Sequence, residues 1–571
     1  MDSGRNRAGG LALVRVAALL IALGSSLFMQ NEARAQAARL EGVVSDQAGA
    51  PVAGAQVSIT TETGERVVRT DDAGVFRLDP VPTGEATILV RASGFASSEV
   101  KIRDAAQDSS GRLKIVLVPA PLSEAVTVTA TRTETRLNDV AGSLVILSTR
   151  DVSEAGAATI DDALRQVPGF TLFRRTGSRA ANPTTQGVSL RGIGASGASR
   201  ALVMVDGVPL NDPFGGWVYW GRVPRQSIER IEVLRGGASS LYGSSALGGV
   251  VNIITRRSDQ NALSLEASYG NLETGEASLF ASGARGRWSA SLAAEAFSTE
   301  GYVLVDERER GAVDTPAGVR RTTLDVTLSR ELSERGRIFL RGSVFGEART
   351  NGTPLQINRT HTRQLSAGLD WRSEEAGAFI FRIYGGAQVY DQTFSAVSAD
   401  RSSETLTRLQ RSPSQSKGLS IQWSRALGQR QTVVAGVEAQ EVRGASDEIG
   451  YTTGRASSLA NAGGRQSNLG LFIEDLINLT PRLLFRVGAR VDRWRNTDAY
   501  QFAQPLAAGA ASSTSVFPDR TETAFSPQAS ALYRLTNHLS LNASLYRAFR
   551  APTLNELYRS FRVGDVLTLA N

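Results

Sequence analysis

Cysteine is absent from the 571 residues, histidine occurs twice, and lysine stands only at 101, 114 and 417. Without thiols there is no disulfide, no Cys-based zinc site and no thiol nucleophile, and the histidines offer no HExxH pair for a metalloprotease. No catalytic constellation stands out, so the chain is expected not to be an enzyme and to hold no metal or cofactor. Blocks of like charge are also missing. Basic and acidic residues number 63 and 56, a net charge of +7, and the signs alternate along the chain, which excludes a nucleic-acid patch. Beyond the N-terminus no run of 18 apolar residues occurs, so a membrane role would fall to strands, since only helices and closed barrels satisfy the backbone in lipid.

What is present describes a folded chain: 41% hydrophobic and 21% charged residues, with a mean hydropathy of −0.14. The length suits several domains of about 150 residues each. Arg5, Arg7 and Arg15 precede an apolar run, Val16 to Met29, and then Ala33-Arg34-Ala35. That is the pattern of a signal peptide, residues 1–35, cleaved before Gln36. A run of 14 residues reaches only about 21 Å as a helix, short of a hydrocarbon core of about 30 Å.

Residues 38–119 alternate short β-rich runs with turn signals, such as Val57-Ser58-Ile59 and Asp72-Ala73-Gly74, the spacing of a β-sandwich. The segments "GVVSDQAGAPVAGAQVSI", "TDDAGVFRLDPVPTG" and "RASGFAS" resemble the carboxypeptidase regulatory-like family, which implies a non-catalytic spacer or docking module. Asp71 and Asp72 read as turn initiators in preference to a calcium pair.

A linker, 120–135, begins after Pro119-Ala120-Pro121 and contains Ala125-Val126-Thr127-Val128-Thr129-Ala130-Thr131, a β-branched strand expected to be unpaired and free to add to a partner's sheet edge. Thr159 and Asp162 are placed for a capping box, with Ile160, Ala163, Leu164 and Val167 on one helical face and Pro168-Gly169 ending it. Gly192-Ile193-Gly194-Ala195-Ser196-Gly197 matches GxGxxG, but the β-branched "RALVMVDG" follows where a dinucleotide fold needs a helix.

Three segments, "IDDALRQVPGF" (160–170), "QGVSLRGIGASGASRALVMVDGVPLND" (186–212) and "IERIEVLRGGASSLYGSSALGGVVNIITRR" (228–257), closely resemble the plug domain of TonB-dependent outer-membrane receptors, which places a plug at 136–257. Gly237 departs from that family, which more often has proline there. The resemblance implies that Ala125, Val126, Thr127, Val128, Thr129 and Ala130 form the TonB box. It further implies that Arg191 and Arg235 pair with glutamates on a barrel wall, the alternative being ordinary surface arginines. Arg174, Arg175 and Arg179 with Trp217, Tyr219 and Trp220 are candidate ligand contacts, the favoured alternative for the two tryptophans being plug packing or a girdle.

From 262 the period changes to two: Leu483, Phe485, Val487, Ala489 and Val491 alternate with Leu484, Arg486, Gly488, Arg490 and Asp492. Similar runs recur, and "ASLYRAFRAPTLNELYR" (543–559) also resembles the family's barrels. The expected fold is therefore mainly β: an N-terminal sandwich, a small α+β plug and an antiparallel transmembrane barrel over 262–571. About thirteen candidate strands are countable, against an even number in bacterial single-chain barrels and twenty-two in the family, and the chain stops at Leu-Thr-Leu-Ala-Asn571 without a terminal aromatic. A fragment, with an open curved sheet around the plug, is the expectation. The implied function is import across the outer membrane of a Gram-negative bacterium, powered through TonB by ExbB and ExbD, with the N-terminal domain and TonB box periplasmic. A ferric siderophore is the leading ligand; cobalamin or an oligosaccharide is the alternative. A secreted carbohydrate-binding β-protein is the rival from another class, and a signalling transducer is disfavoured because the sandwich lacks that subclass's helices.

Overall fold

The computed structural model describes residues 40–568 apart from short stretches, the longest being 79–85, 103–112 and 118–126, so the leader expected at 1–35 lies outside the described residues. The chain divides into two compact units, residues 1–125 and 126–571.

In the first unit seven strands form two sheets: β1 (Leu40–Asp46), β2 (Gln56–Thr61), β3 (Gly64–Arg69), β4 (Val75–Leu78), β5 (Ala86–Arg91), β6 (Ser98–Ile102) and β7 (Leu113–Leu117). Their orders are β4-β1-β7 and β3-β2-β5-β6. Alternation builds the core, because a strand turns every second side chain to one face. Along β5, Ala86, Ile88 and Val90 point inward and join Val44, Val57, Ile59, Phe76, Ile115 and Leu117. The Asp71 carboxylate accepts from the amides of Ala73 (3.0 Å) and Val75 (2.9 Å), closing the turn at Gly74 as expected of a turn initiator.

The second unit opens with β8 (Thr127–Val128) and β9 (Thr135–Arg136), which pair antiparallel. The segment expected to be unpaired is thus tied into a hairpin at its centre; Ala125, Val126, Thr129, Ala130 and Thr131 lie outside the described residues.

The plug follows, built on β10 (Ser143–Ser148), β11 (Thr171–Leu172), β12 (Val188–Ser189), β13 (Leu202–Val205), β14 (Val208–Pro209), β15 (Ile228–Arg235) and β16 (Gly249–Thr255). Five of these form a sheet ordered β10-β15-β16-β13-β14, over a core of Leu147, Leu164, Val203, Ile231, Val233, Val251 and Ile253. Asp206 and Gly207, both at positive φ, make the tight turn between β13 and β14. The capping box expected at Thr159 does not form. Its hydroxyl bonds the Asp162 carboxylate (3.1 Å) and caps no backbone amide, while neighbouring Asp161 is buried and bound by the amide and hydroxyl of Ser178 (2.8 and 2.6 Å). A capping box stands instead at Ser148 and Asp151, before the helix Thr149–Glu154. Gly237, the departure from the family pattern, is crowded: a Cβ there would meet the Tyr546 ring at 2.3 Å.

After the plug come β17 (Ala262–Gly270), β18 (Thr274–Arg285), β19 (Trp288–Tyr302), β20 (Ala317–Ser333), β21 (Gly336–Thr350), β22 (Ile357–Ser373), β23 (Gly377–Val397), β24 (Glu404–Leu427), β25 (Gln431–Thr452), β26 (Arg455–Thr480), β27 (Leu483–Pro505), β28 (Ser513–Val516), β29 (Arg520–Arg534) and β30 (Ser540–Tyr546). They form one fourteen-stranded antiparallel sheet in sequence order, with β28 paired only to β27; among the described residues no pairing joins β17 to β30. The sheet is therefore open at those two edges. Its polarity is inverted relative to a water-soluble sheet. On β27, Val487 and Val491 are exposed while Arg486, Arg490 and Asp492 are buried, the arrangement that a lipid outside and a polar plug inside demand. Trp288, Trp371, Trp423 and Tyr533 sit at the short-turn ends of their strands, where an aromatic girdle belongs. No helix among the described residues is long and apolar enough to cross a membrane.

Candidate functional site

Four residues beyond Val128, Arg132 sits in the left-handed backbone region (φ 63°), which a residue with a Cβ adopts only at a cost. Its side chain compensates. The guanidinium pairs with Glu438 on β25 and lies over the rings of Tyr242 (4.3 Å) in the plug and Phe472 (4.8 Å) on β26. Its carbonyl accepts from the Gln422 amide at 2.5 Å. Glu438 also accepts from Arg490 (2.7 Å), which grips Asp492 through two bonds (2.8 and 2.9 Å) and donates to the Leu241 carbonyl at 3.0 Å. One network thus links the segment after β8, the plug helix Ser239–Tyr242 and four barrel strands, β24 to β27. Burial pushes the Tyr242 phenol up to about 12, so it stays neutral beside Arg132.

Further polar joints ring the plug. Asp206 accepts from Thr255 inside the plug (3.0 and 2.7 Å) and from Arg341 on β21 (2.5 Å), which also binds Asp325 on β20. Arg225 faces Glu266 and Glu276, each at 3.3 Å, and its amide donates to Glu295 at 3.0 Å. The buried Asp212 accepts from the amides of Phe214 (2.9 Å) and Gly215 (2.6 Å) and from the Gln388 side chain; burial still pushes its carboxyl upward. Arg222, bonded to Gln364 at 2.8 Å, is lowered to about 10 by burial, with Asp212 opposing.

Neither arginine expected to anchor the plug has an ion pair to the wall among the described residues. Arg235 turns back into the plug, donating to the Pro168 carbonyl (3.0 Å) and the Ser143 hydroxyl (2.7 Å), and Arg191 is exposed, without an ion-pair partner among the described residues. The anchors are Arg132, Arg225 and Asp206, the last with its sign reversed, acid on the plug and base on the wall. A faint signal existed: Arg486, Arg490 and Asp492 fall on the inward parity of β27, where a charge needs an opposite charge in the plug or on the wall.

The aromatic ligand candidates also move. Trp217 and Tyr219 are buried against Tyr390 (5.7 Å from Trp217) and Phe345 (6.0 Å from Tyr219) of the wall, and Trp220 packs edge-on to Phe170 in the plug core. Packing, the alternative reading, is what they do. Arg174 and Arg179 are exposed, with Phe173 exposed beside Arg174; Arg175 lies outside the described residues. Their segment faces the loop end of the barrel, since Ala181 accepts from Arg349 (3.1 Å) and Asn182 meets Asn358 and Tyr390 (3.3 and 3.2 Å). Sequence reasoning missed Phe173 and Ile193, two further apolar side chains that are exposed. At the loop end Asp314 and Arg401 clasp two loops with bonds of 2.7 and 2.5 Å.

Comparison with known proteins agrees with this architecture. Residues 136–250 match the TonB-dependent Receptor Plug Domain, 305–571 the TonB dependent receptor-like β-barrel, and 39–138 the Carboxypeptidase regulatory-like domain. The vitamin B12 transporter BtuB of Vibrio cholerae is 33% identical over 184 residues, 31% of this chain and 28% of that protein. BtuB of Vibrio vulnificus is 34% identical over 139 residues, 24% of this chain and 22% of its own length. Among solved structures, the ferric yersiniabactin uptake receptor FyuA of Yersinia pestis superposes with a TM-score of 0.57 at 18% identity, over 70% of this chain and 63% of that one. The copper transporter OprC gives 0.57 at 16% identity, over 72% and 64%. The chain therefore spans less than two thirds of FyuA and of OprC, and its match to the BtuB proteins is shorter still.

Proposed function

Because the chain belongs to the TonB-dependent receptors, carrying their plug and their β-barrel, we propose that it imports a scarce extracellular ligand across the outer membrane of a Gram-negative bacterium. The coupling strand is Ala125 to Ala130, presented in the periplasm to TonB, which ExbB and ExbD energise. The observation that carries this reading is the plug's seat: ion pairs and hydrogen bonds from Glu266 on β17 to Gln528 on β29 hold it, with Arg132 next to the coupling strand. Contacts of this kind exchange for water at a modest net cost each, about 0.5–1.5 kcal/mol, so they suit a plug that is repeatedly shifted and reseated.

Strand addition to TonB gains a few backbone hydrogen bonds and stays transient once association costs are met. Val126→Pro and Val128→Pro should each abolish uptake and leave ligand binding intact, because proline removes a backbone donor and fixes φ. Normal uptake in both variants would show that 125–131 is not the coupling strand.

The ligand we favour is a ferric siderophore, because exposed Arg174, 5.9 Å from the exposed Phe173 ring, offers a cation and a ring to an anionic aromatic chelate, with Arg179 exposed on the same segment and 3.6 Å from Asp162. Cobalamin is the second reading, favoured by the similarity to the Vibrio vitamin B12 transporters. Uptake of labelled ferric siderophores and of cobalamin by a receptor-deficient host expressing the gene decides between them.

A further inference from the structure

The outward face of β20, β21 and β22 carries cations without acids. Register places Arg320 across from Ala348 and Ala348 across from Arg359, so the two arginines flank one small residue in a row. In the next rows His361 lies across from Gly346, and Arg363 across from Val344. All three arginines are exposed, and none has an ion-pair partner among the described residues. From Gly318 to Leu332, Ile338 to Thr350 and Ile357 to Ser373, no outward position holds a carboxylate. The nearest acid, Asp391 on β23, lies across from Arg359 in register and between it and Arg411, which it meets at 3.6 Å, so that row carries two cations to one acid. On other strands of this face some cations are matched, Arg443 standing 3.5 Å from Glu441 and Arg465 3.5 Å from Asp498, while Arg493, across from Leu469, has no ion pair among the described residues.

Directly below the arginines the wall is hollow. Gly342 and Gly385 leave a groove of about 430 Å³ between Leu324, Val326, Val344 and Leu365, with Arg363 at its edge. Height locates it. Arg363 is eight residues above the girdle residue Trp371 on β22, which at about 3.3 Å per residue and a tilt of about 40° is roughly 20 Å, and Arg359 is roughly 30 Å above it. The cations therefore straddle the upper rim of an apolar band about 25 Å tall, where headgroups of the outer leaflet lie.

We propose that this surface is a binding site for a phosphate-bearing lipid of the outer leaflet, its acyl chain in the Gly342–Gly385 groove and its phosphate held by Arg320, Arg359 and Arg363. Charge complementarity selects an anionic headgroup, and the contiguous apolar groove selects a lipid over a free anion. The proposal rests on the reading that this wall faces a membrane.

The test uses the full chain purified in detergent, equilibrated with vesicles of phosphatidylethanolamine with or without diphosphorylated lipid A, and scored by native mass spectrometry for retained lipid. The Arg320, Arg359 and Arg363 triple change to Gln should lower lipid A retention roughly a hundredfold, about fivefold for each cation. The matched triple change of Arg411, Arg443 and Arg465 to Gln should leave it unchanged. Gly342→Leu, where a Cβ meets nothing within 4 Å, should also lower retention with every cation in place, and it serves if the triple variant does not assemble. Equal retention in all variants, equal loss in both triples, or displacement by inorganic phosphate would overturn the site. Membrane fractionation keeps the two readings apart: a chain found in the membrane without retained lipid refutes only the site, whereas a chain absent from the membrane refutes the reading beneath it.

Discussion

Arg132→Ala tests the joint next to the proposed coupling strand. The change removes a charge-assisted bond to Glu438, worth about 1.5–3 kcal/mol, and stacking over Tyr242 and Phe472, worth about 0.5–2 kcal/mol. Stranding a buried charge costs about 3–5 kcal/mol, but Glu438 keeps its bond to Arg490, so that figure is an upper bound. Alanine also retains the left-handed backbone without the contacts that offset its strain. The net is about 2–4 kcal/mol, and at about 1.4 kcal/mol per tenfold this is a roughly 30- to 800-fold rise in local opening of 127–136. Hydrogen exchange on the chain in detergent reads it directly. Amides of 127–136 should exchange faster while β15 and β16 of the plug keep their protection. Unchanged exchange in the segment, or an equal rise throughout the plug, would refute the reasoning.

Trp220→Ala should cost about 3–5 kcal/mol of plug stability, seen as a lower urea midpoint, while Trp220→Phe should preserve ligand binding; lost binding in a well-folded Phe variant would restore Trp220 to the ligand site. The Asp314 carboxyl is held down at about 2 by the Arg401 side chain and the Gly311 amide, below its ordinary 3.8. A depressed carboxylate stabilises the clasp above pH 3.8 and loses that contribution as pH falls toward 2, so fluorophores on the two loops should separate across that window and Asp314→Asn should abolish the pH step. Arg341→Ala should leave Asp206 bound only by Thr255 and speed exchange in the β13–β14 turn, whereas Arg235→Ala, which removes no wall contact, should leave plug–barrel exchange unchanged.

Strand parity was legible because lipid and plug impose opposite demands on alternate residues, so Val487 and Arg486 declare their faces without any knowledge of neighbours. The turn at Asp206-Gly207 is likewise set locally, since both residues tolerate positive φ. Partners were not. Arg132 and Glu438 are 306 residues apart, and nothing local to either selects the other. The Thr159 box failed through competition: its hydroxyl bonds the Asp162 carboxylate, and the burial of Asp161 against Ser178 sets the helix start. The aromatics at 217–220 could face a ligand or a wall by composition alone, and only the placement of Tyr390 and Phe345 resolves them.

On the function proposed above, plug release follows an order set by these contacts. Breaking every polar joint at once would require the sum of many terms, each about 0.5–3 kcal/mol before water replaces it, which exceeds what one weakly held strand can transmit. Breaking them one at a time requires only the largest single step. The network at Glu438 is arranged for that sequence. Arg132 is the joint nearest the proposed coupling strand, and its departure leaves Glu438 to Arg490 and the Ser420 hydroxyl. Arg490 in turn holds the Leu241 carbonyl, so the helix Ser239–Tyr242 is the next element exposed to load. Asp206 and Arg225 are tied to β20 and β21 and to β17–β19, on other strands of the wall, and share no residue with this network. Under that proposal, tension entering at the coupling strand loads the Arg132 joint and the Leu241 contact before it loads them.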